Sequence, residues 1–275
     1  MPHFFADDGE KIHFHDSGQG SPVVLLHGWT SSHQEWFPFV QELQKHHRIL
    51  RWDARGHGGH QLSQPSPPTV QRMAQDLHQL LDHAGLSKAV LVGHSMGALT
   101  IWQYIRDYGC ERLEKICLID QSPKLVTSED WDLGVYGNFT TLRAAEFIDE
   151  LRSDFPEAVL RLGALGLNER AREKYLQNAP GWAKARTFLK QQTPEPLIAC
   201  WQSLTEADYR DVLEQIDVPA LLIYGGASNF YHQATAHYVR DHLREAILHI
   251  YEGTDHSPHQ WQRERFIGDL LAFIA

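Results

Sequence analysis

The sequence predicts an α/β protein with a doubly wound, mostly parallel sheet and an inserted helical segment. Three observations carry that expectation. First, short apolar runs such as Val23-Val24-Leu25-Leu26 and Ala220-Leu221-Leu222-Ile223-Tyr224 alternate with helical patterns, the signature of strands covered by helices on both faces. Second, the run ending Val90-Leu91-Val92 leads into Gly93-His94-Ser95-Met96-Gly97 and at once into a helical pattern. That is strand, sharp turn and helix, the setting in which G-x-S-x-G holds a serine hydroxyl above a sheet. Third, residues 124–217 offer no good parallel-strand candidate and read as helices. The expected division is a core of residues 1–123 and 214–275 interrupted by a helical cap of 124–213.

The elements follow in order. Lys11-Ile12-His13-Phe14-His15 alternates as a half-buried strand entered through Asp8-Gly9, and Asp16 to Pro22 reads as a turn-rich connection. The 23–26 strand runs into His27-Gly28-Trp29-Thr30-Ser31-Ser32, and a helical pattern covers 35–43. Arg48-Ile49-Leu50-Arg51-Trp52 is the next strand, closed by Asp53-Ala54-Arg55-Gly56-His57-Gly58-Gly59. Val70, Met73, Ala74, Leu77, Leu80 and Leu81 recur at helical spacing, and Gly85 ends that helix. After the serine turn and its helix, residues 113–119 form a strand ending in Asp120-Gln121-Ser122-Pro123. Helices are expected at 142–154, 157–165, 169–177 and 182–191, broken up by Pro156, Pro180, Pro194 and Pro196. Strand 220–224, a helix at 233–242, strand 246–250, the loop Glu252 to Pro258 and a last helix to Phe273 complete the chain.

Composition narrows the function. At 275 residues the chain can build a substantial core, and 42% hydrophobic with 22% charged residues is the balance of a water-facing globular protein. Lys+Arg 25 against Asp+Glu 35 gives a net charge of −10 with no basic run, so a small-molecule substrate rather than nucleic acid is the expected partner. No apolar run approaches the ~20 residues a membrane helix needs, and no membrane association is expected. The Met1-Pro2-His3-Phe4-Phe5 start has no positive n-region, so no signal peptide is expected. Three cysteines, Cys110, Cys117 and Cys200, lack paired spacing, which leads us to expect reduced thiols in a cytoplasm. The 18 histidines include the pairs His13/His15, His46/His47, His57/His60 and His256/His259. None sits in H-E-x-x-H, and no Cys or carboxylate completes a compact ligand set along the sequence, so neither a metal nor a cofactor is expected.

Chemistry is expected at the carboxyl ends of the strands, where four loops gather: after His27, at Ser95, after Ile119 and around His256. Taken together, His27-Gly28-Trp29, Asp53-Ala54-Arg55-Gly56-His57-Gly58, Gly93-His94-Ser95-Met96-Gly97 and Asp255-His256-Ser257-Pro258 resemble the α/β-hydrolase fold superfamily over essentially the whole chain. The resemblance is to a capped, serine-hydrolase or esterase-like branch. It implies Ser95 as nucleophile, His256 as its base, and an oxyanion hole built from the backbone N–H groups of Met96 and Trp29. A serine needs such a base to attack at neutral pH, and an oxyanion needs preorganised donors.

The acid departs from the common pattern. Most of the superfamily carries a carboxylate after the strand that here is 220–224, but this chain has Gly225-Gly226-Ala227-Ser228-Asn229. Similarity to branches such as some haloalkane dehalogenases and cofactor-free quinolone dioxygenases puts the acid at Asp120. Asn229 as a neutral acceptor, Asp255, or a dyad without an acid are the alternatives. Asp53 reads as loop-forming. Trp131, Trp182 and Trp201 in the insertion are candidates for lining a substrate pocket, and equally for filling the insertion's own core.

Three functions compete. The first is a serine hydrolase acting on an ester or related carbonyl, with peroxide-dependent chemistry as a side activity. The second is a cofactor-free dioxygenase of a quinolone-like ring, in which His256 and Asp120 deprotonate the substrate and Ser95 is never acylated. The third is a non-catalytic ligand receptor, which would need no nucleophile.

Overall fold

The computed structural model describes residues 2–275. Eight strands form one sheet in the order β1-β2-β4-β3-β5-β6-β7-β8: β1 (His3–Phe5), β2 (Lys11–Ser17), β3 (Ser21–Leu26), β4 (His47–Asp53), β5 (Ala89–His94), β6 (Leu113–Ile119), β7 (Ala220–Gly225) and β8 (Ala246–Tyr251). The pairs β1·β2 and β2·β4 are antiparallel and the rest are parallel. Twelve α-helices accompany them among the described residues: α1 (Phe37–Leu43), α2 (Val70–His83), α3 (Met96–Tyr108), α4 (Thr141–Ser153), α5 (Phe155–Ala164), α6 (Glu169–Leu176), α7 (Pro180–Leu189), α8 (Pro194–Glu206), α9 (Arg210–Leu213), α10 (Gln233–Asp241), α11 (Pro258–Trp261) and α12 (Arg263–Ile274).

Strand alternation divides the core into two layers. Val23, Leu25, Val90, Val92, Ile119 and Ile223 point to one face, where α1 supplies Phe39 and Leu43 and α12 supplies Phe266 and Leu270. Val24, Leu26, Leu91, Leu118 and Leu222 point to the other, beneath α2, α3 and α10. The chain leaves β3 outward to β4 and returns to β5 on the opposite side, so the strand order reverses between β3 and β5. A crevice opens beyond the strand ends at such a reversal. Leu26 pairs with Gly93, which sets the Gly28-Trp29 loop opposite Ser95.

The segment between β6 and β7 contains no strand, as expected, but it has no core of its own. Phe147 and Leu151 of α4, Leu160 and Leu162 of α5, and Leu197, Trp201 and Leu204 of α8 belong to the same buried cluster as Met96 and Leu99 of α3. α6 has no fully buried residue and α7 only Leu189, but Tyr175, Trp182 and Ala185 pack part-buried against the same cluster. The prolines open helices rather than break them: Pro156, Pro180 and Pro194 occupy first-turn positions of α5, α7 and α8, where the missing N–H costs nothing. Two further corrections concern the amino-terminal edge. Strand β1 was not expected, and Asp16 and Ser17 continue β2 opposite Leu50 and Ile49 instead of forming a turn. The pattern at 35–43 divides into a 3-10 turn, His33–Trp36, followed by α1. No helix among the described residues is long and apolar enough to cross a membrane.

Candidate active site

Five strand ends meet at one cavity of about 490 Å³, lined by Trp29, Ser95, Met96, Trp182, Trp201 and His256 among others. Ser95 holds φ 53° and ψ −115° between the last residue of β5 and the first of α3, a strained conformation that a built site sustains. The flanking glycines are obligatory. A Cβ on Gly93 would lie 2.5 Å from the Gly97 carbonyl carbon, and one on Gly97 would lie 2.3 Å from the Leu26 oxygen. The Ser95 N–H donates to the Ile119 carbonyl (3.1 Å), tying the turn to the end of β6. Met96 opens α3, where the first-turn N–H groups have no partner within the helix and the dipole favours negative charge.

Asp120 follows β6 directly, with φ 47° and no exposure to solvent. Its Oδ1 accepts the Gly225 N–H (2.8 Å), and its Oδ2 accepts the Ser228 hydroxyl (2.7 Å) and the His256 ring at Nδ1 (2.6 Å). With the proton on Nδ1, the Nε2 lone pair of His256 is free to act as a base. Burial lowers the His256 pKa, the Asp120 hydrogen bond and charge oppose that, and His94 lowers it further; the net direction is downward. Phe230 and Tyr231 pack against the imidazole, with ring centroids 4.4 Å and 6.0 Å away.

The alternatives for the acid are occupied elsewhere. Asn229 accepts the His256 backbone N–H at Oδ1 (3.1 Å) and donates from Nδ2 to the Gly163 carbonyl (2.5 Å), so it holds the histidine's loop and α5 rather than the ring. Asp255 Oδ1 accepts the Ser257 N–H (2.9 Å). Asp53 accepts from the His33 N–H (2.7 Å) and lies within 2.9 Å of the His60 ring, shaping its loop as expected. His27 is also a loop residue: its Nε2 accepts the Ala54 N–H (3.1 Å), which leaves the proton on Nδ1 for the Gly28 carbonyl (2.8 Å).

Trp29 enters the site from β3. Its indole Nε1 donates to the Leu197 carbonyl of α8 (2.8 Å) and its ring lies 4.6 Å from that of Trp201, so the side chain ties this loop to the helices above it. Of the three insertion tryptophans, Trp182 and Trp201 line the cavity. Trp131 does not. It is buried beside Tyr238 (4.8 Å between centroids), donates to the Lys124 carbonyl and lies beneath the Arg210 guanidinium.

Sequence reasoning missed Glu35. It lies within hydrogen-bond reach of His94 Nδ1 (2.7 Å) and His259 Nε2 (3.1 Å), so a carboxylate does join two histidines in a compact group, bridged across 224 positions. The facing atoms lie within 4.8 Å of one another and are engaged in hydrogen bonds among themselves. Burial pushes the Glu35 carboxyl up, but the His94 charge and the hydrogen bonds from both histidines outweigh it and hold it well below the usual carboxylate range. Burial pulls His94 down and Glu35 overrides it, leaving His94 raised; for His259 burial prevails, at about 4.

A strained serine turn and a buried Asp120–His256 pair line one cavity at the strand ends of a doubly wound sheet, and comparison with known proteins supplies the family. The alpha/beta hydrolase family model matches residues 23–268, and the chain belongs to that family. It is similar to a non-heme haloperoxidase of Rhodococcus erythropolis, 28% identical over all of this chain and 99% of that protein. It is likewise similar to a pimeloyl-[acyl-carrier protein] methyl ester esterase of Vibrio vulnificus, 27% identical over 95% of this chain and 97% of the relative. Among solved structures, an esterase from Exiguobacterium antarcticum superposes with a TM-score of 0.85 at 22% identity, covering 99% of this chain and 98% of its own.

Proposed function

We propose that the protein is a serine hydrolase that cleaves an ester or related carbonyl compound through an acyl-enzyme on Ser95. The observation that carries this reading is the His256 ring, hydrogen-bonded through Nδ1 to buried Asp120 and lining the same cavity as Ser95. Ser95 Oγ attacks the substrate carbonyl carbon while His256 Nε2 takes its proton, and Asp120 stabilises the imidazolium. The oxyanion receives the backbone N–H groups of Met96 and Trp29. The leaving alkoxide takes the proton from His256, and a water deprotonated by the same nitrogen then releases the acid and restores Ser95. The relatives named for ester cleavage support this chemistry.

Residues 124–213 act as the cap, with Trp182 and Trp201 in the substrate pocket. A cavity walled by Trp29, Leu125, Val135, Leu160 and Trp201 suits an apolar acyl group.

The relatives named haloperoxidases favour a side reaction. Hydrogen peroxide in place of water would take the acyl group from Ser95 and leave as the peracid. A panel of nitrophenyl esters of increasing acyl length, run beside oxygen uptake on hydroxyquinolones, tests the main reading. Ester turnover that disappears in Ser95→Ala supports it. Oxygen uptake without ester turnover would replace it with the dioxygenase, and ligand binding with neither activity would favour the receptor.

A further inference from the structure

Glu35 lies beneath three loops of the site at once. Its Oε2 accepts the Gly28 N–H (3.0 Å), one residue before Trp29. Its Oε1 faces His94 Nδ1 (2.7 Å), one residue before Ser95, and His259 Nε2 (3.1 Å), three residues after His256. Its backbone carbonyl accepts Gln260 Nε2 (2.7 Å). His94 extends the network, because its Nε2 lies 2.9 Å from the His256 carbonyl oxygen.

The protonation of this network follows from its geometry together with the ionised Glu35 carboxylate. Both ring nitrogens of His94 face acceptors, a carboxylate and a carbonyl. A neutral imidazole carries one N–H and can serve only one of them. With Glu35 ionised, as its lowered pKa has it, both bonds together require the imidazolium. His259 differs: its Nδ1 is buried without a hydrogen-bond partner, so a single N–H on Nε2 serves Glu35 and the ring is neutral. The cluster therefore holds one anion, Glu35, and one cation, His94, both nearly excluded from solvent. A buried pair is sustained only when its remaining polar positions are also bonded, and Gly28, His259 and the His256 carbonyl supply those bonds.

We propose that Glu35 and protonated His94 are positioning residues, an ion pair that anchors the backbone of His256 to the oxyanion loop and sets the acid limb of the reaction at Ser95. The proposal rests on the Ser95–His256 reading. The charged and titratable groups around the His256 ring are Asp120 from the end of β6, His94 from the serine turn, Tyr231 from the loop after β7, which burial keeps protonated, and Asp255 from its own loop. Around His94 they are Glu35, Asp120, His256 and His259. The His94 and His256 ring centroids are 4.9 Å apart, so a cation at His94 opposes protonation of His256. Glu35 supplies the charge that keeps His94 cationic. Losing either partner removes that cation.

The experiment is the rate of Ser95 phosphonylation by a fluorophosphonate against pH, in wild type, His94→Gln, Glu35→Gln and Glu35→Asp. Both glutamine variants are expected to react at least ~10-fold more slowly at pH 8 and to have their acid limb raised by about 0.5–2 pH units. Glu35→Asp keeps the charge, and its limb stays at the wild-type position even where its rate falls. A loss of rate in the glutamine variants with an unmoved limb would reduce the pair to ordinary packing and overturn the proposal, as would rates within twofold of wild type. If wild type itself is not phosphonylated, the Ser95 reading fails instead. Nitrogen-15 spectra of the histidine rings then still decide the pair: His94 protonated on both nitrogens at neutral pH supports it, and a neutral His94 overturns it. The same spectra serve where a glutamine variant does not fold.

Discussion

Replacing Asp120 with asparagine tests its proposed role as the acid with the least disturbance to the rest of the site. In wild type the carboxylate serves three donors: Gly225 N–H on Oδ1, and Ser228 Oγ and His256 Nδ1 on Oδ2. An asparagine amide has one oxygen and one NH₂ for these positions. With the oxygen kept on Gly225, the NH₂ faces His256 Nδ1 and forces the ring proton onto Nε2, the nitrogen that must accept the serine proton. Flipping the amide preserves the productive tautomer but sets NH₂ against the buried Gly225 N–H, which costs about 1–3 kcal/mol. That difference alone leaves the productive form in roughly one molecule in 5 to 150 at 1.36 kcal/mol per factor of ten. Loss of the negative charge beside the imidazolium adds to it, and a wrong tautomer in a serine triad costs ~10⁴ in kcat. We expect Asp120→Asn to lower kcat by roughly 10³–10⁴ on a nitrophenyl ester, with KM changed far less. The residual activity should persist to lower pH than in wild type, because the bond and charge of Asp120 both raise the His256 pKa. A folded variant retaining more than a tenth of wild-type kcat would refute the assignment.

Three other outcomes follow from the same geometry. Asn229→Ala removes a backbone anchor of His256 and leaves its ring partner in place, so kcat should fall about 10-fold with the acid limb unmoved; a loss as large as that of Asp120→Asn would make Asn229 the residue that orients the ring. In the proposed mechanism neutral His256 is the active form, and burial lowers its pKa from 6.5, so activity should hold as pH falls and reach half its plateau below pH 6.5; a midpoint well above 7 in kcat/KM would contradict this. Gly97→Ala places a methyl group 2.3 Å from the Leu26 carbonyl oxygen, and urea unfolding should report a loss of about 3 kcal/mol or more, or no folded protein.

Local signals explain what the sequence revealed. The strands were legible because parallel strands buried on both faces are continuous apolar runs, and the serine turn because two glycines, a strand and a helix must coincide there. Asp120 was singled out because it closes β6, because the loop after β7 contains no carboxylate, and because the resemblance to related branches put an acid at that strand end; its carboxylate lies 2.6 Å from His256 Nδ1. The insertion tryptophans were not separable, because Trp131 and Trp201 are equally apolar and only packing decides which faces the cavity. Glu35 and His259 were hidden more thoroughly. Their partners lie 59 and 224 positions away, and nothing in a 3-10 turn or in a histidine after Ser257-Pro258 announces them. The short strand β1 escaped because its three residues form only through pairing with β2.

Whether Ser95 is the nucleophile is read from the intact mass of the protein after treatment with a fluorophosphonate. Attack by Ser95 displaces fluoride and leaves one phosphonyl group on its oxygen, with the serine proton departing through His256. A single adduct is expected, mapped to the peptide containing Ser95 and absent from Ser95→Ala. Folded wild-type protein that stays unlabelled at pH 8, or an adduct that persists in Ser95→Ala, would contradict it.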